Sequence, residues 1–162
     1  MNDENDKTGS EDGARNIAKP QKIYLKDVSF ESPHTPEIFT SGWKPNLDLD
    51  VESHARQIAA DTYDVVMKVT AKASIDESTA FLAEVQQAGI FVLKGFDPEK
   101  LQRVQNVFCL RILYPYASAA LADLITKGGF PSFMLPPMNF AAIYDQRLQN
   151  LNRPAADPAV TI

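Results

Sequence analysis

Four segments in the first half of the chain alternate in polarity with period two, the pattern of strands with one buried and one hydrated face. In IYLKDVSFE, residues 23–31, Tyr24, Val28 and Phe30 oppose Asp27, Ser29 and Glu31. In LDLDVESH, residues 47–54, Leu47, Leu49 and Val51 oppose Asp48, Asp50, Glu52 and His54. TYDVVMKVTAKA sets Tyr63, Val65, Met67, Val69 and Ala71 against Asp64, Lys68, Thr70 and Lys72. STAFLAEVQQAGIFVL sets Phe81, Ala83, Val85 and Phe91 against Leu82, Glu84, Gln86 and Ile90. No helical pattern separates these segments, so they predict an antiparallel sheet with one polar face.

After Gly95 the period changes. Asp97-Pro98-Glu99 is a helix start and Lys127-Gly128-Gly129 a helix stop. Between them Leu101, Val104, Phe108 and Ile112 follow helical spacing, while Val107, Leu110, Leu113 and Tyr114 fill much of another face. A helix apolar on two sides is buried on two sides, which in a small domain points to a second copy of the chain. Pro115 is expected to kink or break this helix. A second helix opens at Asn139 and aligns Phe140, Ile143, Tyr144, Leu148 and Leu151. The fold expected is α+β: a four-stranded antiparallel sheet packed on a long helix, with a second helix towards the C-terminus.

Between the helices lies GGFPSFMLPPMNF, residues 128–140, too interrupted by Pro131, Pro136 and Pro137 for a helix interior or a central strand. It is an apolar crossover loop, and two readings stay open: a cap folded over the core or an exposed contact surface. The same holds for Trp43 in SGWKP, either a core plug or a binding anchor. The ends look different. MNDENDKTGSEDGARN is polar and charged, and NRPAADPAVTI has little to pack. Residues 1–19 therefore read as an arm, 20–152 as the domain and 153–162 as a tail.

Composition narrows the function classes. The chain has 162 residues, of which 44% are hydrophobic and 23% charged, ordinary for one globular domain. A net charge of -5 and the lack of clustered Lys and Arg along the sequence argue against a nucleic-acid or anionic-membrane surface. One cysteine, Cys109, cannot form an internal disulfide, and no basic start leads into an apolar run, so the cytoplasm is the expected compartment. Apolar runs fall short of the roughly 18 to 20 residues of a membrane span.

Catalytic chemistry is hard to place. Cys109 sits in an apolar helix pattern without a cationic neighbour to activate it, and His34 and His54 have no Cys pairs around which to build a metal site. No G-x-S-x-G, P-loop or G-x-G-x-x-G occurs. The chain is read as a non-enzyme without metal or cofactor. What remains is an acidic sheet face carrying Asp27, Glu31 and Glu84 with Leu82, which pattern alone leaves open between a solvated face and a contact surface, together with the apolar crossover.

The order IYLKDVSFESP, FLAEVQQAGIF, ILYPYA, GGFPSFMLPPMNFAAIY resembles the SecB family of bacterial export chaperones from about Gln21 to Leu151. That resemblance implies a homotetramer, a dimer of dimers with long helices between four-stranded sheets. It implies an ATP-independent holdase that keeps precursor proteins unfolded and delivers them to the translocation motor SecA. On this likeness the surface for the zinc-containing SecA tail falls on Asp27, Glu31, Leu82 and Glu84, and positions affecting assembly fall on Ala83, Val85 and Gln87. Leu110, from the doubly apolar helix, joins them as a candidate interface residue. Client-groove candidates are Trp43, Leu47, Leu49, Tyr114, Phe130, Phe133, Leu135, Met138, Phe140 and Tyr144. The arm is longer than in enterobacterial forms, the tail is not acid-rich, and Ala83 stands where some members have Cys. A non-catalytic adaptor for one folded partner is the competing reading. A pocket-enclosing lipid or metabolite enzyme is a further one.

Overall fold

A computed structural model describes residues 15–153. The tail reading falls outside these residues from position 154 onward, and the arm reading up to position 14. Four long strands, β1 (Ile17–Glu31), β2 (Asn46–Ala59), β3 (Thr62–Ile75) and β4 (Ser78–Lys94), form one antiparallel sheet in the order β1-β4-β3-β2. The two hairpins turn at Asp61 and Asp76, each with a φ of 52°, a left-handed conformation that aspartate tolerates better than most side chains. β1 begins at Ile17, inside the segment read as the arm, because Ile17 and Ala18 pair with Lys94 and Leu93. Pro20 is accommodated there because β1 is an edge strand and its register shifts between Pro20 and Lys22.

Side-chain parity follows the expected alternation with one exception. A second shift between Leu25 and Asp27 places Tyr24 opposite Ala88 and Asp27 opposite Gln86. Tyr24 therefore lies on the polar side with Asp27, not beside Val28 and Phe30. Its hydroxyl donates to Asp64 Oδ1 at 2.6 Å. A β-bulge inserts one residue and so inverts the face of everything before it.

One side of the sheet is covered by α1 (Pro98–Lys127), which starts at an Asp97 cap accepting from the Lys100 amide at 2.8 Å. Cys109, Leu110, Leu113, Ala117, Leu121 and Ile125 form its buried stripe against Val69, Ala71, Phe81, Ala83, Val85 and Phe91. The helix runs through Pro115 without ending. Pro115 and Arg111 are both exposed, so the Arg111 carbonyl deprived of its partner can be hydrated. The irregularity lies upstream, in a π turn over Val104–Cys109.

Two adjacent glycines end α1 for different reasons. A Cβ on Gly128 would stand 2.2 Å from the Phe30 ring, so β1 can approach the helix end only without one. Gly129 has a φ of 89°, which releases the chain into the crossover. The helix α2 (Phe140–Leu151) then opens at Asn139, whose Oδ1 accepts from the Ala142 amide at 3.1 Å.

Candidate functional site: two faces of one sheet

The outer face, away from α1, is built from rows that cross all four strands. Asp27, Gln86, Lys68 and Glu52 form one row; Ser29, Glu84, Thr70 and Asp50 the next; Glu31, Leu82, Lys72 and Asp48 the third. The register thus brings Asp27, Glu31, Leu82 and Glu84 together on two neighbouring strands. Asp27 and Glu31 are exposed, whereas Leu82 and Glu84 are half-buried by their row neighbours. Lys68 is engaged by Glu52 at 2.9 Å, an exposed pair that lowers the Glu52 pKa through the lysine hydrogen bond and charge and raises that of Lys68. Asp48, Asp50 and Glu52 widen the acidic field to the far edge of the sheet. Their alternation is plain in the sequence, but strand order alone decides whether β2 shares a face with β1.

Ala83, Val85 and Gln87 project to the opposite side and are 0%, 0% and 5% exposed. Gln87 satisfies its amide by donating to the Tyr24 carbonyl at 2.9 Å. All three lie against the chain's own helix side, so any effect on assembly passes through that packing. Leu110 is likewise 6% exposed within its own chain. A second apolar face of α1, carrying Phe108, Ile112 and Tyr116, is less covered, with Tyr116 52% exposed.

On the helix side the crossover loop divides the apolar candidates into two places. At its start Phe130 is the hub of an aromatic cluster, its ring centroid 5.0 Å from Phe39, 5.5 Å from Trp43 and 5.2 Å from Phe81. Trp43 is 37% exposed and Phe39 49%, so the cluster has an open edge over a closed base. Phe39 escapes the polarity pattern because it sits in a short turn, Glu37–Thr40, without periodicity. Further on, Leu49, Val51, Val69, Tyr114, Leu135, Pro136 and Met138 line a groove of about 250 Å³ between β2, α1 and the loop. The Tyr114 hydroxyl donates to the Pro136 carbonyl and holds the loop over the helix.

The candidate groove residues are not equally open. Leu47 and Leu49, on an edge strand, are 41% and 39% exposed. Phe133 and Met138 are half-buried, while Phe130, Leu135, Phe140 and Tyr144 are buried in the chain itself. Phe140 packs edge-on against Tyr114 at 5.4 Å. Tyr144 stands apart from this groove, under Arg103, whose guanidinium lies 5.8 Å from its ring and donates to Asp145 at 2.6 Å. Met134, outside the set of groove candidates, is 90% exposed at the loop tip.

Cys109 is fully buried, and burial pushes its thiol up to about 12, far from the range of a nucleophile at neutral pH. Among the described residues no group of three or more His, Cys, Asp or Glu side chains is placed to hold a metal ion.

A family model described as "Preprotein translocase subunit SecB" matches residues 11–151. "Protein-export protein SecB" of Hydrogenovibrio crunogenus is 47% identical over 129 residues, 80% of this chain and 87% of the relative. The protein of the same name from Pseudomonas paraeruginosa is 43% identical over 143 residues, 88% of each chain. That of Halorhodospira halophila is 41% identical over 159 residues, 98% of this chain and 92% of the relative. Among solved structures the fold is similar to a Mycobacterium tuberculosis Rv1957 SecB-like chaperone in complex with a ChAD peptide from the Rv1956 HigA1 antitoxin. That match has a TM-score of 0.63 at 18% identity and covers 75% of this chain and 90% of that one.

Proposed function

The chain belongs to the SecB family of protein-export chaperones, and from that premise we propose that it is an ATP-independent holdase, binding unfolded precursors on its helix side and a motor protein on its outer face. The observation that supports this most is the segregation of the two chemistries. Strand parity sends acids to one side and the apolar groove to the other, so a client and a basic partner can be held together without competing. The partner for Asp27, Glu31, Leu82 and Glu84 is SecA, through its zinc-containing tail. Charge attraction at this exposed face speeds encounter and makes it salt-sensitive.

Unfolded chains contact the open edge of the aromatic cluster at Trp43 and the groove lined by Leu49, Tyr114, Leu135 and Met138. Phe133 and the exposed strip of Leu47 and Leu49 extend this surface. Methionine and aromatic side chains give adaptable area, which suits many clients better than one. Burying about 400 Å² of apolar surface at roughly 25 cal/mol per Å² yields about 10 kcal/mol gross, against ordering costs of similar size. Each groove therefore binds moderately, and retention comes from several grooves on one homotetramer engaging one chain. The activity is binding without turnover, in the cytoplasm.

The test is suppression of aggregation of a chemically denatured protein without nucleotide, on material whose mass is measured by light scattering. Suppression by a species near four chain masses is the expected result. A monomer indifferent to unfolded protein but tight for one folded partner would favour the adaptor reading instead.

A further inference from the structure

The acidic rows occupy only half of the outer face. Toward the other end of the strands Lys19 pairs with Val92, Lys22 with Ile90, and Arg56 with Asp64, on the same side of the sheet, and Lys94 lies beyond them at the end of β4. Lys19, Lys22, Arg56 and Lys94 are exposed and form no ion pair with an acid among the described residues. On the face of this half the acid Asp64 is 4% exposed and already engaged by the Tyr24 hydroxyl at 2.6 Å and Lys26 at 3.7 Å, and Asp61 stands exposed at the bordering β2–β3 turn. A row carrying Tyr24, Ala88, Val66 and His54 separates the two halves. The sequence shows no basic cluster because these residues lie far apart along the chain, and strand pairing assembles them.

We infer that this basic end is a peripheral docking surface for an anionic lipid bilayer. The charges spread in two directions, about 4.8 Å between strands and about 7 Å between same-face rows, so they form a plane. A sheet of headgroup phosphates meets all of them at once. A single acidic strand lying along β1 meets Lys19 and Lys22 and leaves Arg56, on the opposite edge strand, unmatched. Ile17 and Ile58, 38% and 44% exposed, flank the same end with apolar side chains that a headgroup layer accommodates. Of the acids behind the net charge of -5, Asp3, Glu4, Asp6, Glu11 and Asp12 precede β1 along the chain, while those of the acidic half stand apart from this end. Lys22 and Asp27 lie opposite residues 90 and 86 of β4, about 14 Å apart along the strand, beyond a Debye length of about 8 to 10 Å. The acidic half then points away from the bilayer, free for its protein partner. This surface does not depend on the holdase reading.

The experiment is co-flotation of the full chain with vesicles of phosphatidylcholine alone and of phosphatidylcholine mixed equally with phosphatidylglycerol. Binding is expected on the mixed vesicles only and is expected to disappear at high salt. Lys19→Glu with Lys22→Glu should reduce it more than about tenfold, since each basic residue near an anionic leaflet contributes about a fivefold factor. Glu84→Lys, on the other half, should leave it undiminished. Both lysines are exposed edge-strand side chains, and unchanged melting confirms a folded variant; Lys94→Glu gives an independent second arm. No flotation with anionic vesicles, equal flotation with neutral ones, or binding to polyglutamate alone would each overturn the inference. Client holding, measured on the same samples, separates it from the chaperone reading.

Discussion

On the outer side of the sheet Asp27, Glu31, Asp48 and Asp50 are exposed and pack against nothing that the fold requires. On the helix side Phe130, Leu135 and Phe140 are buried within the same loop and helix that present Met134 and Phe133. The first surface can change without touching the core. The second is continuous with it, because the groove floor of Val69 is also core. A surface made of charges is separable from stability, whereas one made of apolar side chains shares its residues with packing. Substitutions should therefore divide cleanly on one side and ambiguously on the other.

The widest gap should come from α1. Leu110→Asp places an unpaired charge in a site 6% exposed within its own chain and should unfold the protomer, by more than about 3 kcal/mol. Ile112→Asp, on the less covered face of α1, should instead split the proposed tetramer while each protomer keeps its helical signal. Circular dichroism and light scattering on both variants check the pair. A folded, fully assembled Leu110→Asp variant would show that the buried stripe is misassigned.

Burial of Cys109 gives a pH arm to the same contrast. Its thiol is pushed up to about 12 from an ordinary value near 9.0, so the folded chain holds the proton after the unfolded chain has lost it. Stability from this group is whole below about pH 9 and falls as pH rises towards 12, by order of 3 to 4 kcal/mol at the end of that window. Tyr24, raised to about 12 by burial and by its hydrogen bond to Asp64, acts in the same direction on the outer side. Cys109→Ala should lower stability at neutral pH yet flatten the alkaline limb of a melting profile, and an unchanged slope would assign that limb to Tyr24.

Much of the fold is legible in the chain's polarity pattern. Period-two alternation places Glu84 opposite Val85, and the Asp97 and Gly128 signals set the long helix. The pattern misplaces Tyr24 because a bulge leaves no mark in it. It overstates Pro115 because a proline on the wet side of a packed helix can be carried by the stripe beneath it. The crossover residues stay ambiguous because Phe130 and Phe133 have the same chemistry, and only burial distinguishes them.

Smaller effects should separate the groove from its foundation. Leu49→Ser removes a side chain 39% exposed at the groove lip and should weaken client holding by about 1 to 2 kcal/mol per groove with little change in melting. Phe130→Ser should cost about 3 kcal/mol or more of stability, through a cavity and a buried hydroxyl. Phe133→Ser, half-buried, should do some of each. If Leu49→Ser lowers the melting temperature as much as Phe130→Ser and leaves holding intact below the transition, the groove is a core seam and not a client surface.

The smallest effect on the fold should be that of Glu84→Lys. Glu84 is half-buried on the outer face, and its one described hydrogen bond, from the Thr70 hydroxyl at 3.4 Å, is long. Stability should move by no more than about 0.5 kcal/mol, as for most surface changes away from caps and cores. Contact with a basic partner is another matter. The substitution reverses a charge in the middle of the field formed by Asp27, Glu31 and Asp50, so affinity for SecA should fall by roughly tenfold or more at low salt. The difference from the wild type should shrink as ionic strength rises, because the lost attraction is the screened part. Client holding, proposed here for the far side of the sheet, should be unchanged. Isothermal titration at two salt concentrations, beside an aggregation assay on the same preparation, decides it. Equal SecA affinity at low salt with an intact assembly would remove Glu84 from the partner surface, and a parallel loss of client holding would mean that the two faces of the sheet are not independent.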